Sequence, residues 1–213
     1  MGCECEKPDD ASEEVRAEDS QIKDLEGQNS NLTSRSHNGI PEDSFSRYIF
    51  EHINALRENP QSFIDVIEKA KSHITIDDKT GIKIYKSSVK VALNNGESAF
   101  NEAIEFLRNT PPMKKLKYNP DFVIDLPKNE LDVKSKEYLM DQVRLKIDSG
   151  ADIKSFWKDI VNDAESCFIL TVVDDSCLED GNKRIDILNR DNKYIGISTV
   201  KIGRSFACYF VIG

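Results

Sequence analysis

Two strand-like runs, Tyr194 to Val200 and Ser205 to Ile212, constrain the fold of this chain more than any other stretch. In the second, Phe206, Cys208, Phe210 and Ile212 alternate with Ser205, Ala207, Tyr209 and Val211. A period of two with both sides largely apolar describes a central strand covered on each face. Lys201-Ile202-Gly203-Arg204 joins the runs as a hairpin loop, with Gly203 available for a left-handed position. Upstream, Asp180-Gly181 reads as a turn, Ile185-Asp186-Ile187-Leu188 as a short apolar step, and Asn189 to Asn192 as a polar turn. The core must close here.

The chain has 213 residues, 38% of them apolar, with ten Phe and one Trp. That supports one medium domain and too little core for two. The formal net charge is −9, and it is uneven. Up to Glu42 there are eleven acidic residues against four basic ones, whereas the remainder carries 27 against 25. The acidity belongs to a leader, residues 1–42, and the domain, residues 43–213, is almost neutral. No Lys/Arg block stands out in the sequence, so a nucleic-acid partner is not expected. No apolar run reaches the ~18 residues of a membrane span, and no basic-then-apolar export signal is visible. The five cysteines are Cys3, Cys5, Cys167, Cys177 and Cys208. Their odd number and the lack of a Cys-x-x-Cys pair predict free thiols in a reducing compartment. Cys167 and Cys208, inside apolar runs, read as small buried hydrophobes.

The leader begins Met-Gly-Cys-Glu-Cys. With Met1 removed, Gly2 offers the amine for a myristoyl group, and Cys3 and Cys5 lie where thiols are palmitoylated. One myristoyl chain binds a bilayer only marginally, so residence needs a second signal. The residues that follow (Glu4, Glu6, Asp9, Asp10) are acidic and repelled by an anionic leaflet, so anchoring would depend on the cysteines. The pattern departs from the myristoylation consensus at Glu6, where Ser or Thr is usual. A plain initiator segment that happens to carry Cys remains the other reading. From Lys7 to about Pro41 the Asp, Glu, Ser, Asn and Gln content reads as a self-repelling tether.

Within the domain, Ser44 to Glu58 predicts a helix with Phe45, Tyr48, Ile49, His52, Ile53 and Leu56 on one stripe. Asn59 can cap a second helix that has Pro60 at its first position and Phe63, Ile67 and Ala70 inward. Ile74 to Tyr85 alternates around an Asp/Gly turn and predicts a hairpin. Gly96 to Leu107 is a further helix, with Phe100, Ala103, Ile104 and Leu107 inward, stopped by Asn109-Thr-Pro-Pro112. Lys114 to Pro127 is loop-like, anchored by Leu116 and Tyr118. Leu131 to Ile147 is another helix, ended by Gly150. Phe168 to Val173 is ambiguous: its β-branched residues favour a strand, its capped start favours a helix.

Four stretches then occur in a particular order. They are Ala55-Leu-Arg-Glu-Asn-Pro-Gln-Ser-Phe-Ile64, Glu97-Ser-Ala-Phe-Asn-Glu-Ala-Ile-Glu-Phe-Leu107, Leu116-Lys-Tyr-Asn119 and Ile187-Leu-Asn-Arg-Asp-Asn-Lys-Tyr-Ile-Gly-Ile197. Their order resembles the CAP superfamily (cysteine-rich secretory, antigen 5 and pathogenesis-related proteins; the SCP domain) in its protist form, over about Phe45 to Gly213. The resemblance implies an α+β fold, an α-β-α sandwich with a small antiparallel sheet between helices. It also makes the two C-terminal runs neighbouring central strands and Glu165 to Val173 a helix.

Metal-binding CAP domains carry two His and two acidic residues in a cleft. Here the second His position falls at Asn182 or Lys183, within Gly-Asn-Lys-Arg, and the helix over Leu131–Ile147 has no His at all. The resemblance therefore implies a vestigial cleft at Asn182, Lys183 and Arg184. Neither Lys nor Asn replaces neutral imidazole on zinc. Lys183 and Arg184 would either make the cleft cationic, suiting an anion or a partner carboxylate, or stand in solvent. Of the remaining histidines, His37 is in the leader, His52 reads as a hydrogen-bonded stripe residue, and His73 opens a loop. Asp77-Asp-Lys-Thr-Gly81 reads as a turn rather than a calcium loop, lacking the later Glu. Asp174-Asp175 and Glu179-Asp180 read as a solvated helix end.

The expected function is that of a non-catalytic binding or scaffold protein tethered at the cytoplasmic face of a plasma, ciliary or Golgi membrane. Its partners would be the membrane, through acyl chains, and another protein, for example in a ciliary assembly. No cofactor, metal or nucleic acid is expected. A residual hydrolase and a lipid-binding protein are the rival readings. Nucleophile-elbow, phosphate-loop, dinucleotide and His-Glu-x-x-His motifs do not occur.

Overall fold

The computed structural model describes residues 39–86, 90–125, 136–146, 152–175 and 182–213. Gly2, Cys3 and Cys5 lie outside them with the leader up to Asn38, as do Cys177, Glu179, Asp180, Gly181 and both ends of the helix expected over Leu131–Ile147.

Helix α1 spans Ser44–Glu58, and the Asp43 carboxylate caps it by accepting from the Ser46 amide at 2.7 Å. Ile49, Ile53 and Leu56 are buried as the periodicity requires, but the buried face is rotated from the expected stripe. Ser46, Phe50, Asn54 and Arg57 are buried, while Tyr48 and His52 are half-buried at the margin. A 3₁₀ turn, Pro60–Phe63, leads into α2, Ile64–Lys71, with Ile67 and Ala70 inward. Asn59 makes no side-chain cap; its amide closes the end of α1 instead, donating to the Ala55 carbonyl at 3.0 Å.

Strands β1 (Ile74–Ile76) and β2 (Lys83–Lys86) form the expected hairpin, with Ile74 opposite Tyr85. Its turn is held by Asp77, whose Oδ1 accepts from the amides of Lys79 and Thr80 and the Thr80 hydroxyl at 3.0–3.1 Å. That is an Asx-turn, as the sequence reads. A third strand, β3 (Lys90–Ala92), was not expected and pairs with β2. Helix α3, Glu97–Asn109, follows and ends at Thr110.

The main sheet contains β4 (Lys117–Tyr118), β5 (Ser155–Val161), β6 (Tyr194–Ile202) and β7 (Ser205–Ile212), in the order β4-β6-β7-β5. The two C-terminal strands occupy its centre, as the apolar alternation demands. They are joined by Gly203-Arg204, with Ile202 opposite Ser205 and Gly203 at φ +60°. β4 runs parallel to β6; the other pairings are antiparallel.

Cys208, Phe210 and Ile212 point to one face, packing with Trp157, Ile195 and Ile197 beneath α1, α2, α3 and α5 (Ala164–Val173). Ala207, Tyr209 and Val211 point to the other, against Phe122, Phe156 and the Leu139/Val143 side of α4 (Lys136–Lys146). The fold is thus α+β, a sheet with helices on both faces.

Helix α5 resolves the ambiguity at Phe168–Val173. Asp163 caps it, accepting from the Ser166 amide at 2.7 Å. It is apolar nearly all round because it is buried nearly all round, the condition in which periodicity gives no signal.

Gly196 in β6 lies directly beneath the Phe122 turn. A Cβ there would come within 2.6 Å of the Phe122 carbonyl. Gly196→Ala is expected to destabilise by about 3 kcal/mol, by overpacking against backbone that has no rotamer to change. An urea midpoint within experimental error of the parent would show that the turn yields.

Candidate functional site

Two buried polar side chains of α1 organise the loops around the candidate site. Asn54 exchanges both hydrogen bonds with Leu116, its Nδ2 donating to the carbonyl at 3.1 Å and its Oδ1 accepting from the amide at 2.8 Å. Arg57 is fully buried. Its Nε donates to the Lys114 carbonyl at 2.7 Å, Nη1 to those of Ile187 and Asn189 at 2.5 and 3.0 Å, and Nη2 to that of Asn192 at 3.3 Å. Burial draws its pKa down to about 10, so it is still charged at neutral pH, with carbonyl dipoles in place of water. Three of the four stretches that carry the resemblance therefore meet at one end of α1.

The short helix α6, Lys183–Ile187, with Asn182 before it, holds the positions at which the resemblance implies a vestigial cleft. Asn182 is exposed before its first turn. Lys183 and Arg184 do not stand in solvent: they are 7% and 9% exposed. Lys183 Nζ pairs with Asp159 of β5 at 2.5 Å, with the two side chains 8% and 13% exposed. Beside this pair Ser155 donates to Asp186 at 2.5 Å, and burial, more than nearby Asp174, raises the Asp186 pKa. Lys183 thus meets a carboxylate, but one from its own chain. Arg184 Nη1 donates to the carbonyls of Val172 and Val173 at 3.3 and 2.8 Å, closing the end of α5, and its guanidinium lies 5.4 Å over the Phe106 ring. Its Nε has no hydrogen-bond partner among the described residues.

Arg184 lines an open groove of about 860 Å³ between the end of α3 and the Leu188–Asp191 turn. Phe106, Pro111, Met113 and Leu188 form its apolar floor, and Glu102, Glu105, Arg190 and Asp191 its charged sides. Glu105 is already bonded to Arg108 and Asn109. The mixed charge makes this groove less cationic than Lys183 and Arg184 together imply.

The histidines stand apart from it. His52 hydrogen-bonds through Nδ1 to the Tyr48 carbonyl at 2.8 Å and stacks on the Tyr48 ring, a packed residue as its sequence context reads. His73 faces Tyr85. Among the described residues, no group of three or more His, Cys, Asp or Glu side chains is placed to hold a metal ion. Cys167 and Cys208 are free and buried; the Cys208 sulfur beside it and burial hold the Cys167 thiol well above the ordinary thiol range, hence protonated.

Asp175 corrects the reading of a solvated acidic corner. Its carboxylate is buried and accepts from the amides of Asn94 and Asn95 at 2.5 and 2.7 Å, tying the end of α5 to the start of α3. The residues that sequence reasoning missed are Asn54, Arg57 and Asp159. For Arg57 a signal existed: it continues the four-residue row Ile49, Ile53, Arg57, where a charge implies a buried partner. For Asp159 there was none.

No family model, no curated protein and no solved structure matches this chain.

Proposed function

We propose that the chain is a CAP-type domain that acts by binding, held at a membrane by acyl groups on Gly2, Cys3 and Cys5. The CAP reading is supported by the order of the elements around the central strands and by the meeting of the quoted stretches at Asn54 and Arg57. The observation that carries the binding role is the groove beside Arg184, open, of a size for a partner's side chains and lined by one of the three expected cleft positions. Lys183, paired with Asp159, is not part of the groove's lining.

The test is proximity labelling in the source cell with the parent chain, a Met113→Arg/Arg190→Glu groove variant, and a Gly2→Ala/Cys3→Ser/Cys5→Ser variant. Loss of specific neighbours from the groove variant, with its membrane fractionation kept, is the expected result. An unchanged neighbour set removes the groove from the proposal. Membrane fractionation of the triple leader variant that survives a high-salt wash as well as the parent's does removes the acyl anchor. Stoichiometric zinc kept through dialysis by the purified chain would overturn the vestigial-site reading.

A further inference from the structure

The three-stranded sheet β1-β2-β3 and the end of α2 carry a local excess of positive charge. Residues 66–93 contain six lysines against three carboxylates, in a chain whose net charge is −9. Lys69, Lys79, Lys83, Lys86 and Lys90 are exposed, and none forms an ion pair among the described residues. Lys86 and Lys90 are direct cross-strand partners. Like charges placed opposite one another destabilise a strand pair, and a surface that supplies negative charge relieves the repulsion. At the hairpin tip two large apolar side chains face solvent: Ile76, opposite Lys83, is 64% exposed, and Ile82, on the other face of the strand pair, 47%. They flank the turn, with the Asp77 amide donating to the Ile82 carbonyl at 2.9 Å.

We infer that this hairpin is a contact surface for an anionic phospholipid bilayer. The lysines meet the headgroups, and Ile76 and Ile82 enter the headgroup–acyl boundary. Unpaired lysines around exposed aliphatic side chains are the composition of an interfacial element, and each charge adds attraction to an anionic leaflet. The two isoleucines favour a bilayer over an acidic protein surface, which would leave them no apolar phase to enter. The inference deepens the membrane-tethered reading without using its acyl chains. It supplies the basic second signal that the acidic residues after Cys5 do not.

The full chain made in bacteria, without acyl groups, is sedimented with vesicles of phosphatidylcholine alone or with about a third phosphatidylserine. Binding to the anionic vesicles only, weakening as salt rises, is expected. Lys83→Glu/Lys86→Glu/Lys90→Glu should lower the partition coefficient at least about tenfold. Ile76→Ser/Ile82→Ser should lower it several-fold while leaving the salt dependence unchanged. All five side chains are exposed, so unfolding midpoints should hold; if the charge reversals do unfold the chain, Lys79→Gln/Lys86→Gln takes their place. Equal partition of parent and lysine variants overturns the inference, and so does failure of the unacylated parent to sediment. Neither result bears on acylation, which the leader variants read separately.

Discussion

Replacing Arg57 with Met is expected to lower the unfolding free energy by about 4 kcal/mol or more, a large share of the ~5–15 kcal/mol of a typical domain. The methionine fills much of the volume, so lost packing is not the main cost. The substitution strands carbonyls of Lys114, Ile187, Asn189 and Asn192, and a buried acceptor without a donor costs about 1–3 kcal/mol. Arg57→Lys should recover only part of this, because an ammonium cannot span acceptors arranged for a planar guanidinium. The same residue predicts a slope at alkaline pH. Its folded pKa, about 10, lies below the ordinary value of 12.5, so the unfolded chain holds the proton more tightly. Its titration contribution is present above the unfolded value and is lost as pH falls through about 10. Urea unfolding of the parent and both variants is the measurement. A Met variant within about 1 kcal/mol of the parent would show that water reaches those carbonyls.

The second large effect belongs to the pair between α6 and β5. Lys183→Met should destabilise by about 3–5 kcal/mol, because it removes the cation from a carboxylate whose side chain is only 13% exposed. Adding Asp159→Leu should return most of that stability, since an apolar pair of similar volume escapes the desolvation that the ions suffer. The sign of the coupling in this double-mutant cycle is the check. If the two substitutions simply add, the pair is more hydrated than its burial indicates.

The sheet and its neighbours were legible because their sequence signals are local. β7 announces itself by alternation, α1 and α3 by three- and four-residue spacing, and the β1-β2 hairpin by its Asp/Gly turn. β5 escaped because Lys158 and Asp159 interrupt its apolar residues, and their partners (the Tyr209 ring and Lys183) come from distant elements. β4 is too short to carry a period. The site was legible only in part. Arg184 does reach a groove, as a cleft residue should, but the fate of Lys183 depended on a carboxylate 24 positions away that no spacing rule connects to it. The basic surface was invisible for another reason. Its lysines come from a helix, a turn and two strands, and no window of sequence holds them without the apolar residues between.

The placement of β7 between β6 and β5 also governs when this domain can fold on the ribosome. Every earlier element, α1 and β5 included, is synthesised before Ser205–Ile212 supplies the sheet with the middle strand it joins through. The bonds from Arg57 to Ile187, Asn189 and Asn192 span 130 to 135 residues, so they belong to the last moments of assembly. Until then the apolar faces of α1, α3 and α5 are exposed, and nascent chains of this protein should be substrates for chaperones that shield such surfaces during synthesis.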